Sequence, residues 1–215
     1  MEDSLRTHAR RAHGAIRAGH LRGPALLDEL LAVPFRDRDV WVDEALGLKG
    51  SPDDMVGLPA GAVPYVPCGV DAIVRTVLDA PVEKDAVFVD LGAGLGRVAI
   101  LVHLLTGARA IGVELQPALV DRARATAAEL ALRDVAFQLG DAGATEVADG
   151  TVFFIYASFS QPVLRRVLAW LAPIASRRSI VLCAVGFDVV GAPWLTPRAS
   201  STPELVLYDP SAPAD

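Results

Sequence analysis

Three acidic residues stand where a chain would put them to grip a polar ligand. Asp90 ends an apolar run and precedes Leu91-Gly92-Ala93-Gly94-Leu95-Gly96, which leads directly into a second apolar stretch. Glycines at such a junction permit a tight turn and let a ligand approach the backbone with no Cβ in the way. The amides of the following helix then offer free donors. Dinucleotide-binding loops space their glycines as Gly-x-Gly-x-x-Gly, and here Arg97 occupies the third glycine's place. A carboxylate just before the loop suits a cationic amino group better than a pyrophosphate. Glu114, 24 residues after Asp90, ends the next apolar run and suits a ribose diol as a bidentate acceptor. Asp141, in Leu139-Gly140-Asp141-Ala142, is an acceptor for the exocyclic amine of adenine. Each acid alone is also an ordinary way to end a strand. Three in succession behind a glycine loop indicate a nucleoside ligand that carries an ammonium group.

A second set of polar residues follows the fourth apolar run, in Tyr156-Ala157-Ser158-Phe159-Ser160. Tyr156 and Ser158 are the candidate catalytic residues, in the sense of positioning an acceptor. Hydrogen bonding within the loop is the alternative for both, and for Ser160, while Phe159 is a candidate pocket wall. His103 lies mid-helix and reads as structural. Arg165-Arg166 and Arg177-Arg178 read as a solvated helix face and end. Cys68 and Cys183 read as small loop or core residues, and no Cys/His spacing matches a metal site.

The elements that must position these residues change character along the chain. Residues 1–64 read as a helical segment, with 24–33 and 38–46 carrying apolar residues at three-to-four spacing and Gly47 and Gly50 as stops. A Pro- and Gly-rich connection, 51–67, leads to a short helix at 70–78. From residue 86 strands alternate with helices: strands at 86–92, 109–115, 135–141, 151–156 and 179–185, helices at 95–106, 118–132 and 162–176. Two last β runs, 194–200 and 204–208, are close enough for an antiparallel hairpin at a sheet edge. This alternation predicts an α/β fold, a seven-stranded, mostly parallel sheet with helices on both faces. Ligands in such sheets bind beyond the strands' carboxyl ends.

Over about residues 65–210 the chain resembles the class I S-adenosylmethionine-dependent methyltransferases, most specifically in Val87-Phe-Val-Asp-Leu-Gly-Ala-Gly-Leu-Gly-Arg97. The resemblance implies a Rossmann-like fold and S-adenosyl-L-methionine as methyl donor. It implies that Asp90 and the Gly92 backbone hold the methionine moiety, Gly94 and Gly96 shape the loop, Glu114 binds the ribose hydroxyls, and Asp141 with the Ala142 amide binds adenine. Tyr65-Val-Pro67 is similar to a segment that closes over the cofactor in a subset that includes non-SET histone-lysine methyltransferases. Tyr65 is thus either a cofactor contact or a packed loop aromatic. The chain lacks the Asn/Asp-Pro-Pro-Tyr/Phe of adenine and glutamine N-methyltransferases, and Pro67-Cys68 precedes the glycine loop instead of following the fourth strand as in cytosine-C5 enzymes.

Methyl transfer of this kind is an in-line displacement in which the cofactor supplies the activation, so a dedicated base is optional when the acceptor is nucleophilic. The expected division is a cap of residues 1–64 over a catalytic domain, 65–215. A small-molecule acceptor is the leading expectation. The alternatives are a protein side chain of the lysine type, or S-adenosylmethionine binding without catalysis; an NAD-linked oxidoreductase is opposed by Arg97. The net charge of −6 opposes a general electrostatic grip on nucleic acid, although five arginines fall within residues 1–23. With apolar runs too short to span a bilayer and no secretory signal at the start, the expected location is cytoplasmic, with no membrane partner.

Overall fold

The computed structural model describes residues 2–48, 50, 53–156 and 160–211. Five short apolar runs form the parallel part of one sheet: β1 (Val87–Leu91), β2 (Arg109–Glu114), β3 (Val135–Leu139), β4 (Val152–Tyr156) and β5 (Val181–Val185). Side chains of β4 and β5 are buried on both faces, as continuous apolar strands of a covered parallel sheet must be. The hairpin of β6 (Leu195–Ala199) and β7 (Leu205–Pro210) adds antiparallel to β5, with β6 outermost. The order is β3-β2-β1-β4-β5-β7-β6. The chain therefore builds outward from β1 to β3, then crosses back to lay β4 on the other flank of β1. Strand order reverses there, which opens a crevice at the carboxyl ends of β1 and β4.

The expected seven-stranded Rossmann-like architecture is what the chain forms, with helices on both faces but unequally shared. On one face, α4 (Val70–Asp79), α5 (Arg97–Thr106) and α6 (Pro117–Glu129) pack with Phe88, Phe154 and Cys183. On the other, α7 (Gln161–Ala175) packs through Leu164, Leu168 and Trp170 against Val89, Phe153 and Leu182. Among the described residues no helix connects β3 to β4 or β5 to β6. Helix α5 starts at Arg97, two residues later than its apolar run suggests. Gly94 and Gly96 both have positive φ, which a right-handed helix excludes.

Before the sheet come α1 (Glu2–Arg17), α2 (Gly23–Ala32) and α3 (Arg38–Leu46). Ala9, Ala12 and Ile16 share one face of α1 and are buried in the same core as the sheet. Trp41 of α3, 1% exposed, donates its indole N–H to His8 Nδ1 at 3.1 Å. Arg10 pairs with Glu44, so part of the basic start is neutralised within the chain, and this segment is a packed helix with one solvated face. Gly47, with φ 74, closes α3 in the left-handed conformation that glycine adopts freely.

Because Ile16 is fully buried in this shared core, Ile16→Ala should destabilise the protein by about 2–5 kcal/mol. Urea unfolding monitored by both tryptophan fluorescence and far-UV circular dichroism checks this; a loss under 1 kcal/mol would refute the packing role of α1.

Candidate active site

The carboxyl ends of β3, β2 and β1 are brought into line by their register, Glu114 opposite Leu139 and Asp90 opposite Gly112. Gly112 has to lack a side chain: a Cβ there would lie 2.5 Å from Phe137 and 2.7 Å from Ala93. With that space left open, the glycine loop folds back over β2, and the Gly92 and Ala93 amides bond the Val113 carbonyl at 2.8 and 3.0 Å. Glu114 is the hub of the arrangement. Its Oε2 accepts from the Gly94 amide and its Oε1 from the Gln116 amide, both at 2.8 Å, and its backbone carbonyl accepts from Gly140. A carboxylate has about four acceptor positions, so both oxygens keep capacity toward the crevice.

Asp90 lies beneath the loop, 2% exposed, with Oδ2 buried and without a hydrogen-bond partner. Burial, reinforced by the nearby Glu114 charge, pushes its carboxyl up to about 8, while a hydrogen bond from the Ala99 amide pulls the other way. An orphaned buried acceptor is costly. A cationic group placed against it would relieve both the desolvation and the repulsion.

In front of these residues is a cavity of about 430 Å³, within the ordinary range for small-molecule sites. Its sheet-side wall contains Gly92, Glu114, Gln116, Asp141 and Ala142, and its outer wall is residues 58–60 and 62–66. Two hydrogen-bond sets hold that outer segment. Asp54 Oδ1 accepts from the Tyr65 amide at 3.0 Å and from Gln116 Nε2 at 2.9 Å, while Gln116 Oε1 accepts from the Met55 amide at 2.8 Å. These two donors hold the Asp54 carboxyl below its usual range. At the other end the Ser160 amide donates to the Gly61 carbonyl at 2.9 Å. The Tyr65 ring lies flush on Gly94, where a Cβ would approach it to 2.1 Å. Burial raises the Tyr65 hydroxyl to about 12.

Arg97 joins the loop to the first third of the chain. Its side chain is 7% exposed; Nη1 bonds Asp39 and the Cys68 carbonyl at 2.8 and 2.9 Å, and Nη2 bonds both Asp43 oxygens at 2.5 Å. A cation in the first turn of α5 opposes that helix's dipole, and the two α3 carboxylates offset it. Asp39 also accepts from the Val70 amide that opens α4. One carboxylate thus braces two helices around the loop.

Gly92, Glu114, Asp141, Ala142, Tyr65 and Tyr156 all border the cavity. Asp90, Gly94 and Gly96 lie behind it; Gly96 packs so closely on Phe137 that a Cβ would come within 2.4 Å of the ring. The Tyr156 hydroxyl is raised first by burial and further by Cys68 and Asp39. Ser158, with Phe159, lies outside the described residues. Asp141 is more engaged than its sequence context suggests: Oδ1 accepts from the Gly143 amide at 2.8 Å and Oδ2 from Arg166 Nη2 at 2.7 Å. Arg166 therefore borders the cavity instead of sitting on a purely solvated helix face. Asp54, Gln116 and the 58–63 segment were not among the expected site residues. Gln116, two positions beyond a strand-ending acid, was the one with a local signal.

Residues 88–174 match the family described as methyltransferase domain. Over those residues the chain carries a methyltransferase domain. Among solved structures it is similar to an RNA methyltransferase from Salinibacter ruber in complex with S-adenosyl-L-homocysteine, with 28% identity, 70% of this chain and 98% of that chain covered, and a TM-score of 0.56. The fold is shared with yhhF from Escherichia coli (17% identity, 76% and 93% covered, TM-score 0.53). It is shared too with the mitomycin 7-O-methyltransferase MmcR (15%, 65% and 52%, TM-score 0.50). No curated protein sequence matches the chain. Among the described residues, no helix is long and apolar enough to cross a membrane.

Asp90 makes the stability of the ligand-free protein depend on pH. The unfolded carboxyl ionises near 3.8 and the folded one near 8, so between those values the folded state holds the extra proton. Its contribution is complete below the lower value and is lost as pH rises through the upper one. Asp90→Asn should therefore gain on the wild type as pH increases from 4 to 8, read as the difference in urea midpoints; a difference independent of pH would refute the burial argument.

Proposed function

We propose that the protein transfers a methyl group from S-adenosylmethionine to a small-molecule acceptor. The observation that carries this reading is the roof over the cavity, residues 58–66, held at one end by Asp54 and Gln116 and at the other by Ser160. A site walled on its outer side by Pro59, Ala62, Val63 and Pro64 favours a compact, partly apolar acceptor over a polymer strand. On this reading residues 1–64 act as the cap, and Tyr156, at the end of β4, positions the acceptor, with Ser158 as a second positioning residue.

The donor set fits the cofactor in order as well as in sign. Adjacent strands lie about 4.8 Å apart, and Glu114 stands two residues beyond the level of Asp90 and Asp141 two beyond that of Glu114, so Asp141, Glu114 and Asp90 follow one another diagonally from the end of β3 across β2 to β1. That sequence matches adenine, ribose and amino-acid ammonium. In the proposed roles Asp90 and the Gly92 backbone hold the methionine end, with Tyr65 alongside. Gly94 and Gly96 keep the loop low, Glu114 accepts from the ribose hydroxyls, and Asp141 with Ala142 recognises adenine. When bound, S-adenosylmethionine supplies a methyl group already activated on a sulfonium. What remains for the chain is to bind, to exclude water under the 58–66 roof and to align the acceptor, and alignment alone is worth several kcal/mol.

A second reading, methyl transfer to RNA, is favoured by one observation: the chain covers 98% of the Salinibacter ruber RNA methyltransferase at 28% identity. Incubation with methyl-labelled S-adenosylmethionine and, separately, a low-molecular-mass metabolite fraction, total RNA and total protein distinguishes the possibilities. Label is expected in the metabolite fraction. Label confined to RNA or to protein overturns the small-molecule reading. No transfer to any fraction, with the cofactor bound, points to a binding protein without catalysis. In the same system Glu114→Ala should weaken S-adenosylhomocysteine binding by about 1–3 kcal/mol, the scale of hydrogen bonds to a charged group; unchanged affinity in a folded variant would refute the ribose assignment.

A further inference from the structure

Two residues of α7, one turn apart, hold the loop after β3 from behind. Arg166 donates through Nη2 to Asp141 Oδ2 at 2.7 Å, and Trp170 donates its indole N–H to the Ala142 carbonyl at 2.9 Å. Residues four apart on a helix share a face, so a single helix face grips two consecutive residues of the loop. The guanidinium lies flat on Gly143: a Cβ at that glycine would come within 2.6 Å of Arg166 Nε and 3.0 Å of Nη2. The loop closes the grip from its own side. The Gly143 amide donates to Asp141 Oδ1, and the Asp141 carbonyl accepts from Ala144 and Thr145. Both carboxylate oxygens thus have a fixed donor, and their remaining lone pairs are set in direction at the edge of the cavity.

We infer that Arg166 is a specificity-determining positioning residue, which fixes the Asp141 carboxylate as an acceptor and thereby selects a 6-amino purine over a 6-oxo purine in the cofactor. The inference rests on the adenine role proposed for Asp141. The chemistry is one of donor and acceptor complement. A carboxylate that is ionised and locked by a guanidinium can only accept. The exocyclic amine of adenine is a donor and satisfies it, whereas the carbonyl of hypoxanthine faces it with another acceptor, and a site built for one hydrogen-bonding pattern rejects its inverse strongly. Without the guanidinium the carboxylate loses its charge partner and one of its two anchors. It then turns more freely and accommodates either base. Arg166 borders the cavity, yet its hydrogen bond is to Asp141, so its effect passes through that carboxylate.

The test compares the affinities of S-adenosylhomocysteine and S-inosylhomocysteine for the full-length protein by titration calorimetry, in the wild type, Arg166→Gln and Arg166→Lys, with thermal melting to certify folding. The wild type should prefer the adenosyl compound at least tenfold. Arg166→Gln should weaken it about tenfold while changing the inosyl compound little, so that the preference collapses, and Arg166→Lys should restore part of it. A loss of loop structure alone would weaken both compounds equally and leave the ratio intact; that result overturns the inference and leaves the cofactor assignment standing. Failure of the wild type to bind S-adenosylhomocysteine overturns both. Should Arg166→Gln not fold, Arg166→Lys decides: an undiminished ratio together with unchanged affinities in that variant overturns the inference, because a lysine cannot reproduce the flat contact on Gly143.

Discussion

The site is organised by a conflict between two negative charges that the fold buries on neighbouring strands. Asp90 and Glu114 are 2% and 8% exposed, and each raises the electrostatic cost of the other. The protein resolves Glu114 by surrounding it with amides, from Gly94 and Gln116. Asp90 is left half-resolved, with one oxygen unpartnered and its carboxyl pushed up toward neutrality. An unsatisfied acceptor of this kind is tolerated where a ligand completes it. The glycines of the loop, the bare Gly112 and the turn onto α5 are the backbone conditions for keeping these two acids close beneath a ligand-sized space.

That arrangement cannot be separated from the first third of the chain. Arg97, placed by the loop at the start of α5, would be a buried, unpaired cation without Asp39 and Asp43. A lone buried charge is far costlier than a paired one, so α3 and the glycine loop hold each other's position. The same acids contribute to the field at Cys68, Tyr65 and Tyr156. The ionic brace and these three residues therefore form one electrostatic unit.

Much of the fold was legible in the sequence because its signals are local. Apolar runs of five or six residues alternating with longer amphipathic ones define β1 to β5 and their helices, and the turn spacing after residue 199 defines the hairpin. Asp90, Glu114 and Asp141 were legible for the same reason, since each sits at the end of such a run. The Asp54–Gln116 tie and the Arg166–Asp141 pair were not. They join residues 62 and 25 positions apart, and neither Asp54 nor Arg166 carries a pattern that distinguishes a cavity wall from a solvated surface. The packing of α1 was hidden for a similar reason: Ala9, Ala12 and Ile16 form a narrow apolar stripe, and only α3 folded against it reveals its use.

The unequal covering of the sheet leaves one connection held at a few points, by Phe187 and Val189 on the core and by the Val189 amide on the Tyr208 hydroxyl. Between β5 and β6 the chain runs without a helix, and Gly186 and Gly191 both have positive φ with no atom near the place of a Cβ. Lengthening an open connection costs little, roughly 0.6 kcal/mol for each doubling of its length. Extra chain could thus be accommodated at this end of the sheet without disturbing the cofactor strands. It is the natural port, near Gly191, for grafting a reporter or a new recognition element onto this fold.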